Sequence, residues 1–261
     1  MPSITTRMGN VIQQEGLLGL ARALGSYTTS QIDRTYQATV SPLLINGAIK
    51  KLKKESDGII VSDNLVEFAF KFNYMGISIK PDQIQSEITE LCRIIKARKV
   101  NSIIEIGRAG GGTLFLFCKS ASPTARILSI DLPASTLENL NLNYRAKLYK
   151  TFAKERQTLS FLNGNSHAPE TFLNVSDYFE PDSVDFLFID GDHSYSGVKK
   201  DFEVYKQWVK KGGLIAFHDI SLNKNNKICP VNKFWNELKK KYKYEEIIHT
   251  RNGYGIGLIY W

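Results

Sequence analysis

Residues 186–202 read FLFIDGDHSYSGVKKDF: an apolar run from Phe186 to Ile189 ends in Asp190, Asp192 and His193, three titratable groups within four positions. Two carboxylates this close raise one another's pKa unless something positive stands between them, so such a cluster suits a ligand or catalytic task. The bland alternative is a solvated strand-to-helix turn in which His193 caps the helix or bonds a backbone carbonyl. A second polar group, His218-Asp219, follows another apolar run, 213–217, with His218 standing 28 residues beyond Asp190. If the two runs are neighbouring parallel strands, Asp190, His218 and Asp219 converge at the carboxyl edge of one sheet.

A different kind of signal lies in EIGRAGGGTLFLF, residues 105–117. Backbone that approaches a nucleotide needs residues without a Cβ, and the first amides of the following helix can face polar or anionic groups. Gly107, Gly110, Gly111 and Gly112 supply that turn, although the dinucleotide fingerprint is imperfect because its middle glycine is Ala109. Asp131, 19 residues beyond Gly112, ends the next apolar run, where a carboxylate can accept hydrogen bonds from both hydroxyls of a ribose.

Both sites require a sheet, and the pattern from residue 82 onward predicts one. In DQIQSEITELCRIIKARK, Ile84, Ile88, Leu91 and Ile95 follow helical spacing, with Asp82 and Gln85 as a capping box. Short apolar runs then alternate with helical stretches: SIIEI at 102–106, RILSI at 126–130, LSFL at 159–162, VDFLFI at 184–189 and GLIAF at 213–217. Strands buried on both faces of a parallel sheet read this way. Val198, Phe202, Tyr205 and Val209 mark a helix expected to stop at Gly212-Gly213, with Asp201 facing solvent or capping locally. YEEIIHT and YGIGLIYW flank Arg251-Asn252-Gly253 and predict an antiparallel hairpin at the end. The first 80 residues differ. LLGLARAL at 17–24 and SPLLINGAIKKLKK at 41–54 read as helices, and 58–72 as a strand pair or a strand and a helix. The expected organisation is a helical extension over 1–80, serving as a substrate lid or an oligomer contact, and a nucleotide-binding domain over 81–261.

The composition is compatible with this. At 261 residues, 43% hydrophobic and 23% charged, the chain can bury one large α/β core, and no run approaches the ~20 apolar residues of a membrane span. The start, MPSITTRMGN, lacks a basic region followed by an apolar core, so a cytoplasmic protein is expected. Cys92, Cys118 and Cys229 are too far apart for a zinc finger or a disulfide framework. The net charge of +8 sits partly in runs such as KKLKK at 50–54 and KKKYK at 239–243. Lysines at helix ends are ordinary dipole-favouring caps, so nucleic acid is not expected as a partner, and a peripheral contact with an anionic membrane stays open. Self-association into a homo-oligomer is expected.

Taken together, E-I-G-R-A-G-G-G-T at 105–113, S-I-D-L at 129–132, N-G-N-S-H-A-P-E-T at 163–171, I-D-G-D-H-S-Y at 189–195, G-G-L-I-A-F-H-D-I at 212–220 and G-Y-G-I-G at 253–257 resemble the class I S-adenosylmethionine-dependent methyltransferases. Within that class they are most similar to the metal-assisted small-molecule and sugar O-methyltransferases, a branch that includes proteins labelled cephalosporin hydroxylases. The resemblance covers roughly residues 80–261. It implies a Rossmann-like, doubly wound, mostly parallel seven-stranded sheet with an antiparallel C-terminal hairpin, and methyl transfer to a hydroxyl of a small molecule. It implies that Glu105 and Gly107 border the methionine and ribose end of the cofactor, with Ala109 and Gly111 in the same turn. Asp131 would hold the ribose, and Asn165 or Ser166 would lie near the adenine. Gln83 is implied as a cofactor or lid contact and Asp190 as a residue shared between cofactor and chemistry.

The resemblance also implies a divalent ion at Asp190, His218 and Asp219, with His193 as general base. An acidic pair after the fifth strand is the pattern of such enzymes, and His218 in its first place is a departure: oxygen ligands suit Mg²⁺, whereas imidazole moves the preference toward Mn²⁺, Fe²⁺ or Zn²⁺. Metal coordination of an alcohol oxygen and proton removal by an imidazole near neutrality would together assist its attack on a sulfonium methyl. Asp192 and Tyr195 are supporting candidates, His167 is structural or cofactor-adjacent, and His249 has no evident partner. The competing readings are nicotinamide dinucleotide binding, a metal-independent methyltransferase, a non-haem iron oxygenase using Asp190, His193 and His218, and a binding protein without catalysis.

Overall fold

A computed structural model describes residues 41–59, 62–132, 145–222, 230–249 and 254–261. The helix expected at 17–24, Cys229 and the turn Arg251-Asn252-Gly253 lie outside the described residues.

The chain enters through helix α1 (Ser41–Ser56) and helix α2 (Ser62–Lys71). A two-stranded antiparallel hairpin follows, β1 (Asn73–Tyr74) with β2 (Ile77–Ser78), so the ambiguous 58–72 segment is chiefly helix. Ile45, Ala48 and Leu52 of α1 and Leu65, Val66 and Ala69 of α2 are buried in one cluster with Ile103, Phe115 and Phe186. Residues 41–79 therefore complete the core of the sheet, which their own apolar content could not do alone.

Helix α3 (Gln85–Ala97) buries Ile88, Leu91 and Ile95, as their spacing requires. The expected capping box does not form. Ile84 occupies the N-cap without a side-chain cap bond, and Asp82 stands at the cavity described below. The sheet then runs through β3 (Ser102–Ile106), helix α4 (Gly112–Ser120), β4 (Arg126–Asp131), β5 (Thr158–Asn163), the short helix α5 (Pro169–Leu173), β6 (Val184–Ile189), helix α6 (Tyr195–Tyr205), β7 (Val209–His218), helix α7 (Pro230–Leu238), β8 (Lys243–Ile247) and β9 (Ile256–Tyr260). The order across its seven strands is β5-β4-β3-β6-β7-β9-β8. The pairs from β5 to β7 are parallel, and β9 is antiparallel to both β7 and β8.

One difference from the sequence reading concerns the helix after β6. It ends at Tyr205 and tightens into a 3-10 turn over Lys206–Trp208, and Val209 already pairs with Val184 as the first residue of β7. One apolar cluster lies under α1 to α4 and the other under α6 and α7, so both faces of the sheet are covered and its central strands β3 and β6 are buried along nearly their whole length. Strand order reverses between β3 and β6, and in open α/β sheets that switch point leaves a crevice at the carboxyl ends. Among the described residues no helix is long and apolar enough to cross a membrane.

Candidate active site

A cavity of about 550 Å³ opens at this switch point. Its walls carry Gly107, Ala109 and Asp131 from the exits of β3 and β4, Asn165 and Ser166 from the exit of β5, Asp190 and His193 from the exit of β6, and His218 and Asp219 from the exit of β7. Nine of the site residues inferred from sequence thus meet in one place. Gln83, Glu105 and Gly111 stand behind the wall: Gln83 Nε2 donates to Asp190 Oδ2 at 2.7 Å, and Gly111 is the left-handed N-cap of α4, packed against the Tyr149 ring.

The glycine turn is fitted closely to the opposite strand. Gly107 has φ +92°, and a Cβ there would stand 2.1 Å from the Asp190 carbonyl oxygen. Only glycine tolerates both the angle and the contact. The turn amides orient Asp131, whose Oδ2 accepts from Arg108 N at 3.3 Å and Ala109 N at 3.1 Å, while its Oδ1 accepts from Leu132 N at 2.8 Å. Below the turn, Glu105 is fully buried and accepts from Thr113 Oγ1 and Ser129 Oγ, each at 2.6 Å. Burial pushes its carboxyl up to about 7 against those bonds and the nearby Arg108 charge. Arg108, which sequence reasoning passed over, is also buried: its guanidinium lies between the Tyr149 and Phe161 rings, 5.5 and 5.2 Å from their centres, and donates to Asn163 Oδ1 at 2.9 Å.

At the other end of the cavity the titratable groups are paired with one another. His218 Nδ1 donates to Asp190 Oδ1 at 3.0 Å and lies 3.6 Å from Asp219 Oδ1. His193 Nδ1 is 2.8 Å from Asp219 Oδ2, and its Nε2 is 3.4 Å from Asp190 Oδ1. Burial works to raise the Asp190 carboxyl, but the hydrogen bonds of His193 and His218 outweigh it and hold the group below its ordinary range. Conversely, the bonds to Asp190 and Asp219 carry the His193 imidazole up to about 10. His218 is also raised: its burial opposes a charge that Asp190 and Asp219 favour. His193 and His218 thus stand between the carboxylates of Asp190 and Asp219.

The residue types suit a divalent ion with mixed oxygen and nitrogen donors, and the buried Nε2 of His218 has no hydrogen-bond partner. As folded, the donors are committed to each other, and among the described residues no group of three or more His, Cys, Asp or Glu side chains is placed to hold a metal ion.

Several residues stand elsewhere than the sequence suggested. Asp201 is fully buried, beside His167. His249 has a partner, Glu90, at 3.0 Å, and its backbone N–H donates to buried Glu87 at 2.9 Å. Asp192 lines the cavity and accepts from Ser194 N at 2.8 Å, whereas the Tyr195 hydroxyl turns to Glu237. Tyr254, Leu132 and Asp82 also line the cavity. Tyr254 lay in the G-Y-G-I-G segment but had no reason to be singled out there. In the fold its ring lies 5.9 Å from that of His218.

Residues 104–220 match a family model described as a methyltransferase domain. Among curated proteins, the chain is 30% identical over 116 residues to an uncharacterized protein of Acanthamoeba polyphaga mimivirus, a match covering 44% of this chain and 50% of that protein. A second uncharacterized protein, from Sinorhizobium fredii, is 23% identical over 171 residues, or 64% of this chain and 18% of that protein. The chain thus spans half or less of the length of these relatives. Among solved structures, an O-methyltransferase from Bacillus cereus in complex with SAH superposes with a TM-score of 0.52 at 14% identity, covering 83% of this chain and 100% of that one. A Staphylococcus aureus protein, provisionally described as a caffeoyl-CoA O-methyltransferase, gives 0.54 at 21% identity over 83% and 99% of the two chains. At these identities the two superpositions establish a shared fold.

Proposed function

We propose, from the match of residues 104–220 to a methyltransferase-domain model, an enzyme that moves a methyl group from S-adenosylmethionine to a hydroxyl of a small molecule. The observation that carries this reading is a single cavity lined both by Asp131, oriented by the amides of the glycine turn, and by His193 with its two carboxylates. When bound, the cofactor supplies an electrophilic methyl group on a positively charged sulfur. Asp131 accepts hydrogen bonds from the ribose hydroxyls, and the exits of β3 and β5 hold the nucleoside on either side of it. His193 takes the proton of the acceptor hydroxyl, and Asp190 and Asp219 orient its ring.

The cavity also suggests the class of acceptor. Asp82, Asp131, Asp190, Asp192 and Asp219 line it, and among the described lining residues none is Lys or Arg, although the chain carries net charge +8. Such a wall favours a sulfonium and an uncharged or cationic acceptor, for which a sugar qualifies, and works against the pyrophosphate of a nicotinamide dinucleotide. A divalent ion at Asp190, His218 and Asp219, exchanged for their mutual hydrogen bonds, would polarise the acceptor oxygen and take up the negative charge that keeps a proton on His193.

Calorimetry tests the reading. S-adenosylmethionine and S-adenosylhomocysteine bind and NADH does not; binding of NADH alone overturns it. Titrating EDTA and then Mn²⁺ or Mg²⁺ against turnover tests the ion, and turnover indifferent to both removes it from the mechanism.

A further inference from the structure

A fully buried carboxylate takes no part in the chemistry above. Asp201, on the inner face of α6, has no exposed surface, and its Oδ1 faces His167 Nε2 at 3.2 Å, two buried atoms with no other hydrogen-bond partner among the described residues. Its Oδ2 lies beneath Gly191, where an added Cβ would come within 3.5 Å of it. One turn of α6 later, Tyr205 donates its hydroxyl to the Ser166 carbonyl at 3.0 Å. The far end of the same turn is tied to Asp131, whose carbonyl accepts from Gly164 N at 2.8 Å, and His167 N donates to Asn165 Oδ1 at 2.9 Å. Residues 164–167 are thereby fixed on both sides, and all four line the cavity beside Asp131 and Leu132. Burying a carboxylate works against stability, and an apolar residue would hold a turn as well, so a charge kept under a cavity wall points to a task at that wall. Burial pushes the Asp201 carboxyl up.

With Asp131 at the ribose, the turn after β5 is where the base of the cofactor must lie. We infer that Asp201 is a positioning residue that accepts from His167 Nε2–H and so fixes the tautomer of His167, leaving its Nδ1 as an acceptor for the 6-amino group of adenine. This rests on the cofactor reading above. The pair would make the site selective for adenine over a 6-oxopurine, whose O6 would meet the same lone pair. An amide at 201 can donate to Nε2 and release the other tautomer, so Asp201→Asn changes the reading of the base with little change of shape.

The test compares S-adenosylhomocysteine with S-inosylhomocysteine by calorimetry at pH 8. The wild-type protein is expected to prefer the adenine ligand at least tenfold. Asp201→Asn and His167→Ala should each bring the two ligands to within about threefold of one another. If Asp201→Asn does not fold, His167→Ala, at a partly exposed position, carries the comparison. A purely structural role would weaken both ligands alike, and a preference surviving in either folded variant overturns the inference. Equal wild-type affinity for the two ligands also overturns it while the cofactor reading stands, and failure of both ligands to bind removes the two together.

Discussion

Replacing Glu105 by Gln tests whether the carboxylate under the glycine turn is held protonated by burial. The wild-type group stands at about 7 in the folded protein, against an ordinary value of 4.5, because desolvation outweighs the hydroxyls of Ser129 and Thr113. For a carboxyl raised on folding, the native state binds more protons than the unfolded chain between those two values. Its contribution to stability is therefore complete below about pH 4.5, falls as pH rises, and is lost above about 7. A gap of about 2.5 pH units at ~1.4 kcal/mol each makes the loss ~3 kcal/mol. Urea denaturation of both proteins between pH 4 and 8.5 isolates this effect, since the other titrating groups cancel in the difference between the curves. Relative to Glu105→Gln, the wild type should lose ~3 kcal/mol across that interval, and the two should run parallel above pH 7.5. Curves parallel throughout would mean that Glu105 is ionised at its ordinary pH and that the Thr113 and Ser129 bonds, with Arg108, fully offset its burial.

Other substitutions address the cavity wall. Gly107→Ala drives a Cβ to 2.1 Å from the Asp190 carbonyl oxygen at φ +92°, and calorimetric melting should fall by ~6 °C or more, reflecting a cost above ~3 kcal/mol. Asp131→Ala removes the acceptor for the ribose hydroxyls and should weaken S-adenosylhomocysteine ~30- to 100-fold by isothermal titration, with melting little changed. His193→Ala should keep cofactor affinity and lose ~10²- to 10⁴-fold in turnover. In EDTA-treated wild type, kcat/KM should climb about tenfold per pH unit toward pH 10, because the two carboxylates keep His193 protonated below that, and a flat profile between pH 7 and 9 would deny it the role of base.

The sheet was legible because each of its buried strands is a short apolar run, and Asp190, His218 and Asp219 could be brought together from strand adjacency alone. The helix end was misread at Val209 because its spacing from Tyr205 continues the helical series, whereas pairing with Val184 claims it for β7. Asp201 follows Val198 by three and precedes Tyr205 by four, which puts it on the buried face of α6. Its polarity suggested solvent only because its partner, His167, is brought to it by the turn after β5. Glu87 shows the same limit. Its carboxylate accepts from His249 N at 2.9 Å and Gly255 N at 3.1 Å, joining segments more than 160 residues apart that no local pattern connects.

Backbone conformation marks the same cavity independently of any resemblance. Six described non-glycine residues have positive φ, and three of them, Ala109, Asp219 and Tyr254, line the cavity. Each such conformation costs about 1 kcal/mol or more and persists only where its neighbours determine it. The neighbours are identifiable. Ala109 donates its N–H to Asp131, and the Asp219 carboxylate meets His193. The Tyr254 carbonyl accepts from Ser221 N and Oγ at 2.9 and 2.8 Å, and the next residue is held by Glu87. The strain at Ala109 lies on the cofactor side and aims an amide at the carboxylate proposed to hold the ribose. The strain at Asp219 and Tyr254 lies at the other end of the cavity and sets a carboxylate beside the proposed base and a ring beside His218. The first arrangement is set locally, within the turn between β3 and α4, where the Ala109 N–H meets Asp131. The second depends on a buried glutamate from α3 reaching the segment before β9, so the wall at that end can change with Tyr254 and its supports while the cofactor wall stays as the turn sets it.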